Sequence, residues 1–336
     1  PVVAALEAAA RDPRWRGYPP FQGTPEFLEA AAAFMQRRFG VAVDPVREVV
    51  AVSGSKEGLA HLFGAYLGRG DVALVPAVHY PVYARAPLMY GAEVHAIPTP
   101  APHFLPDLDA IPPAVLARAK TLIVNYPNNP TGATCDRAFL ARCVAFARAH
   151  GLLLISDLAY SELTYAPDAA PSVFEVPGAR DVAVELHSCS KSFNMAGLRI
   201  GFAVGRADAM EALLAYRANV GYGTPWAAQA AGAVALRESA ALTPPIVAEY
   251  RARRDAVYGA LAEAGWTATP PAAAMYAWLP VPAGFEDWEW VRAVMDEANV
   301  VVTPGLAFGD GGAGWFRLSF VQPAPVLAGA VRGLAA

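Results

Sequence analysis

Short apolar runs alternate with helix-length segments through the first two-thirds of this sequence, and this alternation constrains the fold more than any other feature. The runs are DVALVP, AEVHAI, TLIVNYP, GLLLISD, VAVELHS and RIGFAV. Each has the length of a buried strand, and several are separated by enough residues for a helix. Strands that are apolar on both faces and connected through helices form mostly parallel sheets covered on both sides. The sequence therefore predicts an α/β fold with a mostly parallel central sheet and helices on both faces.

Two of the predicted helices have recognisable ends. The first begins with Thr24 as N-cap and Pro25 at the first helical position, and it ends before Gly40. The second, SKEGLAHLFGAYLG, has apolar residues at 59, 62, 63, 66 and 67, the spacing of one helical face. Ser55 stands at its start, where a serine can act simply as a helix cap.

The pattern changes near residue 240. A long predicted helix over residues 244–265 is followed by AMYAWLPV, a further helix near 287–298 and the strand-like WFRLSF. This order indicates a smaller α+β unit. The 336 residues are enough for two domains. We expect a large domain over residues 18–235 and a small domain made of residues 1–17 and 236–336.

Charge and residue usage disfavour several classes of function. A formal net charge of −4 and a pI near 5.9 argue against binding to nucleic acid or to an anionic membrane surface. No apolar run approaches the roughly 18 residues of a membrane-spanning helix. The six histidines lack HxxxH and HExxH spacing, so we expect no metal site. Three cysteines without a CxxC pair favour a reducing, cytoplasmic location.

Polar residues directly follow three of the predicted strands. Asn125 to Asn129 follow TLIV, Asp157 follows LLLIS, and Ser188 to Lys191 follow VAVEL. In open α/β sheets, ligands bind outside the carboxyl ends of the strands. Taken singly, each of these residues is better explained as a polar loop residue or a helix cap. Taken together, they predict a site at this edge of the sheet.

Lys191 raises a chemical question of its own. A lysine with an ordinary pKa of about 10.4 is almost fully protonated at pH 7 and is not a nucleophile. Burial, or a neighbouring cation such as Arg199, lowers the pKa of a lysine. The default for a lysine is a surface position. Its place directly after a buried strand instead favours an imine-forming lysine.

An imine partner of the pyridoxal type needs further groups, and the sequence offers them. A phosphate dianion is bound by helix N-terminal amides, hydroxyls and an arginine. A protonated ring nitrogen needs a carboxylate, which Asp157 could provide. A substrate carboxylate calls for a bidentate arginine such as Arg317, although the stem of Arg317 could merely cover apolar surface. The candidates to bind the phosphate are Ser55, Lys56, Glu57, Ser188, Ser190 and Arg199. Asn129 and Tyr160 could donate to the phenolic oxygen, and Tyr80 could stack on the ring face.

Eight segments carry a resemblance to a known family. In order they are YPPFQG, GSKEG, VHYPVY, NYPNNPTG, SDLAY, SCSKSFNMAGLRIGF, PGLAFG and RLSF, spanning about residues 18–320. NNPTG, SDxxY and SxSKxxxxxGxRxG in this order are highly specific. The chain resembles the class I/II aminotransferases, the pyridoxal-phosphate enzymes of fold type I. That resemblance implies a transaminase of amino acid metabolism and biosynthesis, which moves an amino group between an amino acid and a 2-oxo acid by a ping-pong reaction.

The resemblance also implies a role for each matching residue. Lys191 would form the internal aldimine and then act as the acid–base, and Asp157 would pair with the pyridinium. Asn129 and Tyr160 would bind the phenolic oxygen, and Tyr80 would stack on the ring. The remaining implied contacts are with the phosphate (Ser55, Lys56, Glu57, Ser188, Ser190 and Arg199) and with the substrate α-carboxylate (Arg317 and Asn129).

The segment YPPFQG bears on assembly. Its Tyr18 matches a tyrosine that in the family reaches the phosphate of the neighbouring subunit, which implies a homodimer with shared active sites. The family also has a short N-terminal arm with a glycine that contacts substrate, and we expect that arm to lie before the first residue of this chain. The alanines before MYAW stand where the family usually has a glycine, a departure that affects only the local loop.

The substrate is less constrained than the reaction. The motifs resemble the subgroup containing aspartate, LL-diaminopimelate and N-succinyldiaminopimelate aminotransferases, so we expect one of these donors with 2-oxoglutarate. One alternative keeps the cofactor but performs carbon–sulfur β-elimination. Another is a ligand-sensing aminotransferase-like domain of a transcription regulator, which the pI of 5.9 and the lack of a basic winged-helix segment ahead of the domain disfavour.

Overall fold

The computed structural model describes residues 1–335, and its larger β-sheet has seven strands. These are β1 (Val49–Val52), β2 (Val72–Pro76), β3 (Glu93–Ile97), β4 (Ala119–Val124), β5 (Leu153–Asp157), β6 (Ala183–Ser188) and β7 (Gly201–Gly205). Their order across the sheet is β1-β7-β6-β5-β4-β2-β3. Only β7 runs against the others, being antiparallel to both β1 and β6. The prediction of a mostly parallel sheet is confirmed, and β1 adds a strand that was not predicted.

Helices cover both faces of this sheet. They are α1 (Val2–Arg11), α2 (Pro25–Phe39), α3 (Ser55–Tyr66), α4 (Val82–Met89), α5 (Pro113–Leu116), α6 (Arg137–His150), α7 (Cys189–Ser192), α8 (Ala207–Val220) and α9 (Trp226–Arg237). Side chains alternate along a strand, so neighbours in β4 point to opposite faces. Leu122 packs in the same cluster as Phe139 of α6, whereas Ile123 packs with Leu59 of α3 and Leu213 of α8.

The ends of α2 and α3 differ in a way that matters for the site. The Thr24 hydroxyl accepts a 3.3 Å hydrogen bond from the Phe27 amide, and Gly40 ends α2 in the left-handed conformation, as predicted. In α3 the N-cap is Gly54, which has a positive φ of 90° and makes no side-chain cap. Ser55 is therefore the first helical residue rather than the cap, and its hydroxyl is not used to close the helix.

A second, three-stranded antiparallel sheet lies toward the carboxyl terminus, in the order β8-β10-β9. Its elements are α10 (Ser239–Glu263), β8 (Tyr276–Pro280), α11 (Asp287–Ala298), β9 (Thr303–Pro304), β10 (Trp315–Ser319) and α12 (Ala324–Ala335). The predicted helix near 287–298 and the strand in WFRLSF are both present. The predicted helix over 244–265 begins earlier, at Ser239, so that Pro244 and Pro245 lie inside it.

The apolar cluster of this second sheet extends to the first. It joins Val257 of α10, Phe316 of β10 and Leu327 of α12 with Tyr160, which follows β5. Helix α1 was expected in the small domain with residues 236–336, but it packs on the core beside α9 and α2. The two-domain division itself stays a prediction.

Among residues 1–335, no helix combines the length and apolar character needed to cross a bilayer.

Candidate active site

A cavity of about 300 Å³ lies where β4, β5 and β6 end and α3 begins. Eleven of the thirteen predicted site residues line it. They are Ser55, Lys56, Tyr80, Asn129, Asp157, Tyr160, Ser188, Ser190, Lys191, Arg199 and Arg317. The parallel strands deliver most of these residues to one edge, and β10 of the second sheet adds Arg317 from the other side. The cavity therefore lies between the two sheets.

Asp157 forms the buried end of the cavity. Oδ2 accepts a 2.7 Å hydrogen bond from the Tyr83 hydroxyl, and the Asp157 carbonyl accepts one of 2.7 Å from Nδ2 of Asn125. Oδ1 is buried and has no hydrogen-bond partner within residues 1–335. Burial raises the pKa of this carboxyl to about 6, and the Tyr83 bond opposes the increase. A cationic donor facing Oδ1 would satisfy the carboxylate and restore its charge.

Lys191 lies in the short helix α7, directly after β6. Burial lowers the pKa of its ammonium, and the positive charges of Arg317 and Arg199 lower it further. Each of these effects favours the neutral amine. This position supports the expectation that Lys191 differs from an ordinary surface lysine.

Arg199 organises the end of the cavity beside α3. Its φ of 52° places it in the left-handed region, unusual for a residue with a side chain. Nη1 lies 3.4 Å from the Ser190 hydroxyl, and Nη2 donates a 3.1 Å bond to the Ser53 carbonyl. A Cβ on Gly54 would collide with the guanidinium, so the glycine permits the arginine to reach the first turn of α3. The resulting group of hydroxyls, arginine and helix N-terminus suits a phosphate dianion.

Arg317 approaches from the second sheet. Nη1 donates a 2.8 Å hydrogen bond to Oδ1 of Asn129, and the guanidinium carbon lies 4.5 Å from the Tyr276 ring centroid and 4.8 Å from that of Phe308. Nε is buried and lacks a partner within the described chain. The planar group is thus fixed by packing while still offering donors to the cavity, as binding of a carboxylate requires.

Two predicted residues lie outside the cavity. The Glu57 amide bonds to the Gly54 carbonyl at 3.1 Å, because helix α3 uses that donor internally. Its carboxylate accepts a 2.9 Å bond from the Ser53 amide and lies 3.5 Å from Arg217. The expected amide contact of Glu57 with a phosphate therefore does not fit this geometry. Tyr18 is 76% exposed and stacks on Tyr222, with ring centroids 4.3 Å apart.

Comparison with known proteins decides the family. The sequence profile described as "Aminotransferase class I and II" matches residues 1–332. This chain belongs to the class I and II aminotransferases. It is 43% identical over 334 residues to the LL-diaminopimelate aminotransferase of Desulforudis audaxviator, covering 99% of this chain and 85% of that protein.

Solved structures of other proteins agree with this assignment. Substrate-bound BacF from Bacillus subtilis superposes with a TM-score of 0.96 at 37% identity, over 99% of this aminotransferase and 86% of BacF. A probable N-succinyldiaminopimelate aminotransferase from Thermus thermophilus gives a TM-score of 0.92 at 36% identity, covering 99% and 90%. The fold is thus that of fold type I, and the aminotransferase depends on pyridoxal phosphate.

The cavity of this aminotransferase fits that cofactor. The unpartnered Oδ1 of Asp157 could accept a hydrogen bond from the protonated ring nitrogen, and Ser55, Ser190 and Arg199 could hold the phosphate. The Lys191 amine, with its lowered pKa, lies along the same cavity. When bound, pyridoxal phosphate acts as an electron sink for bonds at the substrate α-carbon.

Three polar lining residues are not among the predicted site residues, although Asn125 lies in one of the strand-end segments. Tyr83 and Tyr276 bring hydroxyls to Asp157 and Tyr160 at 2.7 and 2.6 Å. Besides its bond to the Asp157 carbonyl, Asn125 accepts a 2.9 Å bond from the Asn129 amide through Oδ1. The spacing of Tyr83, one helical turn after Tyr80, was an available signal. Tyr276 lies in the segment MYAW, but nothing in the local sequence indicates that the second sheet brings its hydroxyl to Tyr160.

Proposed function

We propose that Lys191, Asp157 and Arg317 are the central residues of the transamination site. The observation that carries this proposal is their convergence on one cavity from α7, β5 and β10. Asp157 would keep the ring nitrogen protonated, and Arg317 would hold the substrate α-carboxylate through its planar fork. Lys191 would bind the cofactor covalently, leave it as a free amine when the amino acid replaces it, and move a proton between the substrate α-carbon and the C4′ carbon of the cofactor.

The remaining lining residues are proposed to hold the cofactor in place. Asn129 and Tyr160 would bind its phenolic oxygen, and Tyr80, whose ring lies 5.9 Å from that of Tyr83, would cover the ring face. Asn129 would also help to orient Arg317, because the two side chains share a 2.8 Å bond. The proposed phosphate contacts are Ser55, Lys56, Ser188, Ser190 and Arg199.

We propose LL-diaminopimelate as the amino donor and 2-oxoglutarate as the acceptor. The support is that relatives 43% identical to this chain, from Desulforudis audaxviator and Moorella thermoacetica, are LL-diaminopimelate aminotransferases. N-Succinyldiaminopimelate is the second candidate, because the Thermus thermophilus structure that bears this name shares 36% identity.

A donor screen tests the substrate. The enzyme loaded with pyridoxal phosphate is incubated with LL-diaminopimelate, N-succinyldiaminopimelate or aspartate, each with 2-oxoglutarate or pyruvate, and the amino acid product is quantified. We expect the highest kcat/KM for LL-diaminopimelate with 2-oxoglutarate. A higher value for another donor would reject this substrate and keep the reaction class. Pyruvate and ammonia released from cystathionine, without transamination of any donor, would instead indicate a β-lyase.

We further propose a homodimer in the cytoplasm. Tyr18, Phe21 and Tyr222 form a stacked aromatic group on the surface, with Tyr18 76% and Tyr222 60% exposed. Burial of such a group against a second copy would remove apolar area from water. The three free, buried thiols, Cys135, Cys143 and Cys189, support a reducing compartment.

A further inference from the structure

Two buried tyrosines meet inside the cavity. The hydroxyl oxygens of Tyr160, after β5, and Tyr276, at the start of β8, are 2.6 Å apart, and either could donate the proton between them. The rings are edge to face, with centroids 5.7 Å apart and an interplanar angle of 77°. Neither hydroxyl has another hydrogen-bond partner among residues 1–335. Together with the bond from Arg317 to Asn129, the pair joins the residues that follow the larger sheet to the smaller sheet by a direct polar contact.

The surroundings of the pair are not symmetrical. The guanidinium carbon of Arg317 lies 4.5 Å from the Tyr276 ring centroid. In the antiparallel pairing, Tyr276 of β8 lies opposite Ser319 of β10, and Arg317 is two residues before Ser319 on the same strand. Burial raises the pKa of both phenols. Arg317 opposes this increase at both, as the strongest opposing influence at Tyr276 but only as the weakest influence at Tyr160. A cation beside a phenol makes its proton easier to donate. Tyr276 is thus the better donor of the two.

The number of hydroxyl protons limits which way the hydrogen bond between Tyr160 and Tyr276 can run. A phenol carries one proton, so Tyr160 can donate either to Tyr276 or into the cavity. We propose that Tyr276 is a positioning residue that donates its hydroxyl to Tyr160, so that the single proton of Tyr160 points to the phenolic oxygen of pyridoxal phosphate. This rests on the assignment of Tyr160 in the proposed function. In this arrangement the Tyr276 hydroxyl acts on the cofactor through Tyr160.

The proposal has a spectroscopic consequence. A donor to the phenolic oxygen stabilises its anionic form and so lowers the pKa of the nitrogen that joins Lys191 to the cofactor. The visible absorption of the loaded enzyme follows the protonation of that nitrogen. When Tyr276 donates to Tyr160, the bond from Tyr160 to the phenolic oxygen becomes stronger, because hydrogen bonds in a chain polarise one another. Removing either hydroxyl therefore raises the pKa measured from the absorption.

The test is a set of spectral pH titrations on the loaded enzyme without substrate. We compare Tyr160→Phe, Tyr276→Phe and the double variant with wild type. We expect Tyr160→Phe to raise the spectral pKa by about one unit, because one unit corresponds to the free energy that a single hydrogen bond contributes. Tyr276→Phe should raise it by roughly a third as much. In the double variant, the Tyr276 change should add nothing, because its effect passes through Tyr160.

A matched control separates this effect from loss of packing. Tyr165 is also buried, and its hydroxyl donates a 2.6 Å bond to the Ala274 carbonyl, two residues before Tyr276. Tyr165→Phe should lower the melting temperature and leave the spectral pKa unchanged.

The outcomes are distinguishable. No shift in Tyr160→Phe rejects the assignment of Tyr160 itself. A shift in Tyr160→Phe but none in Tyr276→Phe, or a Tyr276 effect that persists without the Tyr160 hydroxyl, rejects the positioning role.

Discussion

The hydroxyl of Tyr83 donates a 2.7 Å hydrogen bond to Oδ2 of Asp157, from a position 74 residues earlier in the chain. It is the side-chain bond that stabilises the charged form of this buried carboxylate, whose pKa burial raises to about 6. The other oxygen, Oδ1, is left unpartnered within the described residues. One oxygen is thus held by the protein, and the other is available to the ring nitrogen of the cofactor.

Tyr83→Phe should slow the first half-reaction, in which the amino acid transfers its amino group to the cofactor. A hydrogen bond to a charged group contributes roughly 1.5–3 kcal/mol, so we expect a rate about 10- to 100-fold lower. Stopped-flow absorbance under single-turnover conditions measures this rate. The buried control Tyr165→Phe should retain it. An unchanged rate in Tyr83→Phe would mean that the hydroxyl does not support Asp157 during the reaction.

Asp157→Asn should change how the stability of the cofactor-free protein depends on pH. The folded-state pKa of Asp157, about 6, lies above its ordinary value of 3.8, so the native state binds the proton more tightly than the unfolded state. The stabilisation of the folded state by this carboxyl is fully present below pH 4 and is lost as the pH rises through 6. Relative to wild type, Asp157→Asn should therefore gain about 2–3 kcal/mol between pH 4 and pH 7. Urea unfolding across this range measures the difference, and a constant difference contradicts the prediction.

Lys191→Ala should abolish turnover while cofactor still binds without a covalent bond, because other groups hold the phosphate. Borohydride reduction of wild type should attach the cofactor to one tryptic peptide, the one that contains Lys191. Lys120 is exposed in β4 and serves as the control, so Lys120→Ala should keep wild-type activity and labelling. Label on Lys56, or activity in Lys191→Ala, would overturn the central assignment.

Arg317→Lys should raise KM for every amino donor about 10- to 100-fold. A lysine keeps the charge but cannot make two parallel bonds to a carboxylate, and it loses the 2.8 Å bond to Asn129. The absorption spectrum of the loaded enzyme should persist. Arg332 on the exposed side of α12 provides the control substitution Arg332→Lys. Normal KM values for Arg317→Lys would point to a different clamp for the carboxylate.

Mixed dimers test whether Tyr18 serves the neighbouring subunit. Lys191→Ala and Tyr18→Ala homodimers should both be impaired. In a hybrid dimer with shared sites, one site carries both changes and the other carries neither. Statistical co-refolding then restores about a quarter of the wild-type activity, since half of the dimers are hybrid. If Tyr18 served its own chain, nothing would be regained even with subunit exchange verified by tag pull-down.

Local sequence determined the elements of this protein and most of the site. The apolar runs marked six of the seven strands of the larger sheet. Five of these six are almost entirely buried, as continuous apolar runs indicate, whereas β3 at the edge buries only Ile97 fully. Thr24 and Gly40 fixed both ends of α2 through bonds within the chain segment itself. Asp157, Ser188 and Lys191 could be predicted because parallel strands carry the residues at their carboxyl ends to one edge of the sheet.

Tertiary structure alone decided which distant side chains complete the cavity. Tyr276 reaches Tyr160 across 116 residues, and Tyr83 reaches Asp157 across 74. Glu57 was expected at the phosphate and lies outside, because helix α3 uses its amide and Ser53 and Arg217 surround its carboxylate. Periodicity reports which face of an element is buried. Which two faces meet depends on packing between sheets, and that packing is a property of the folded chain as a whole.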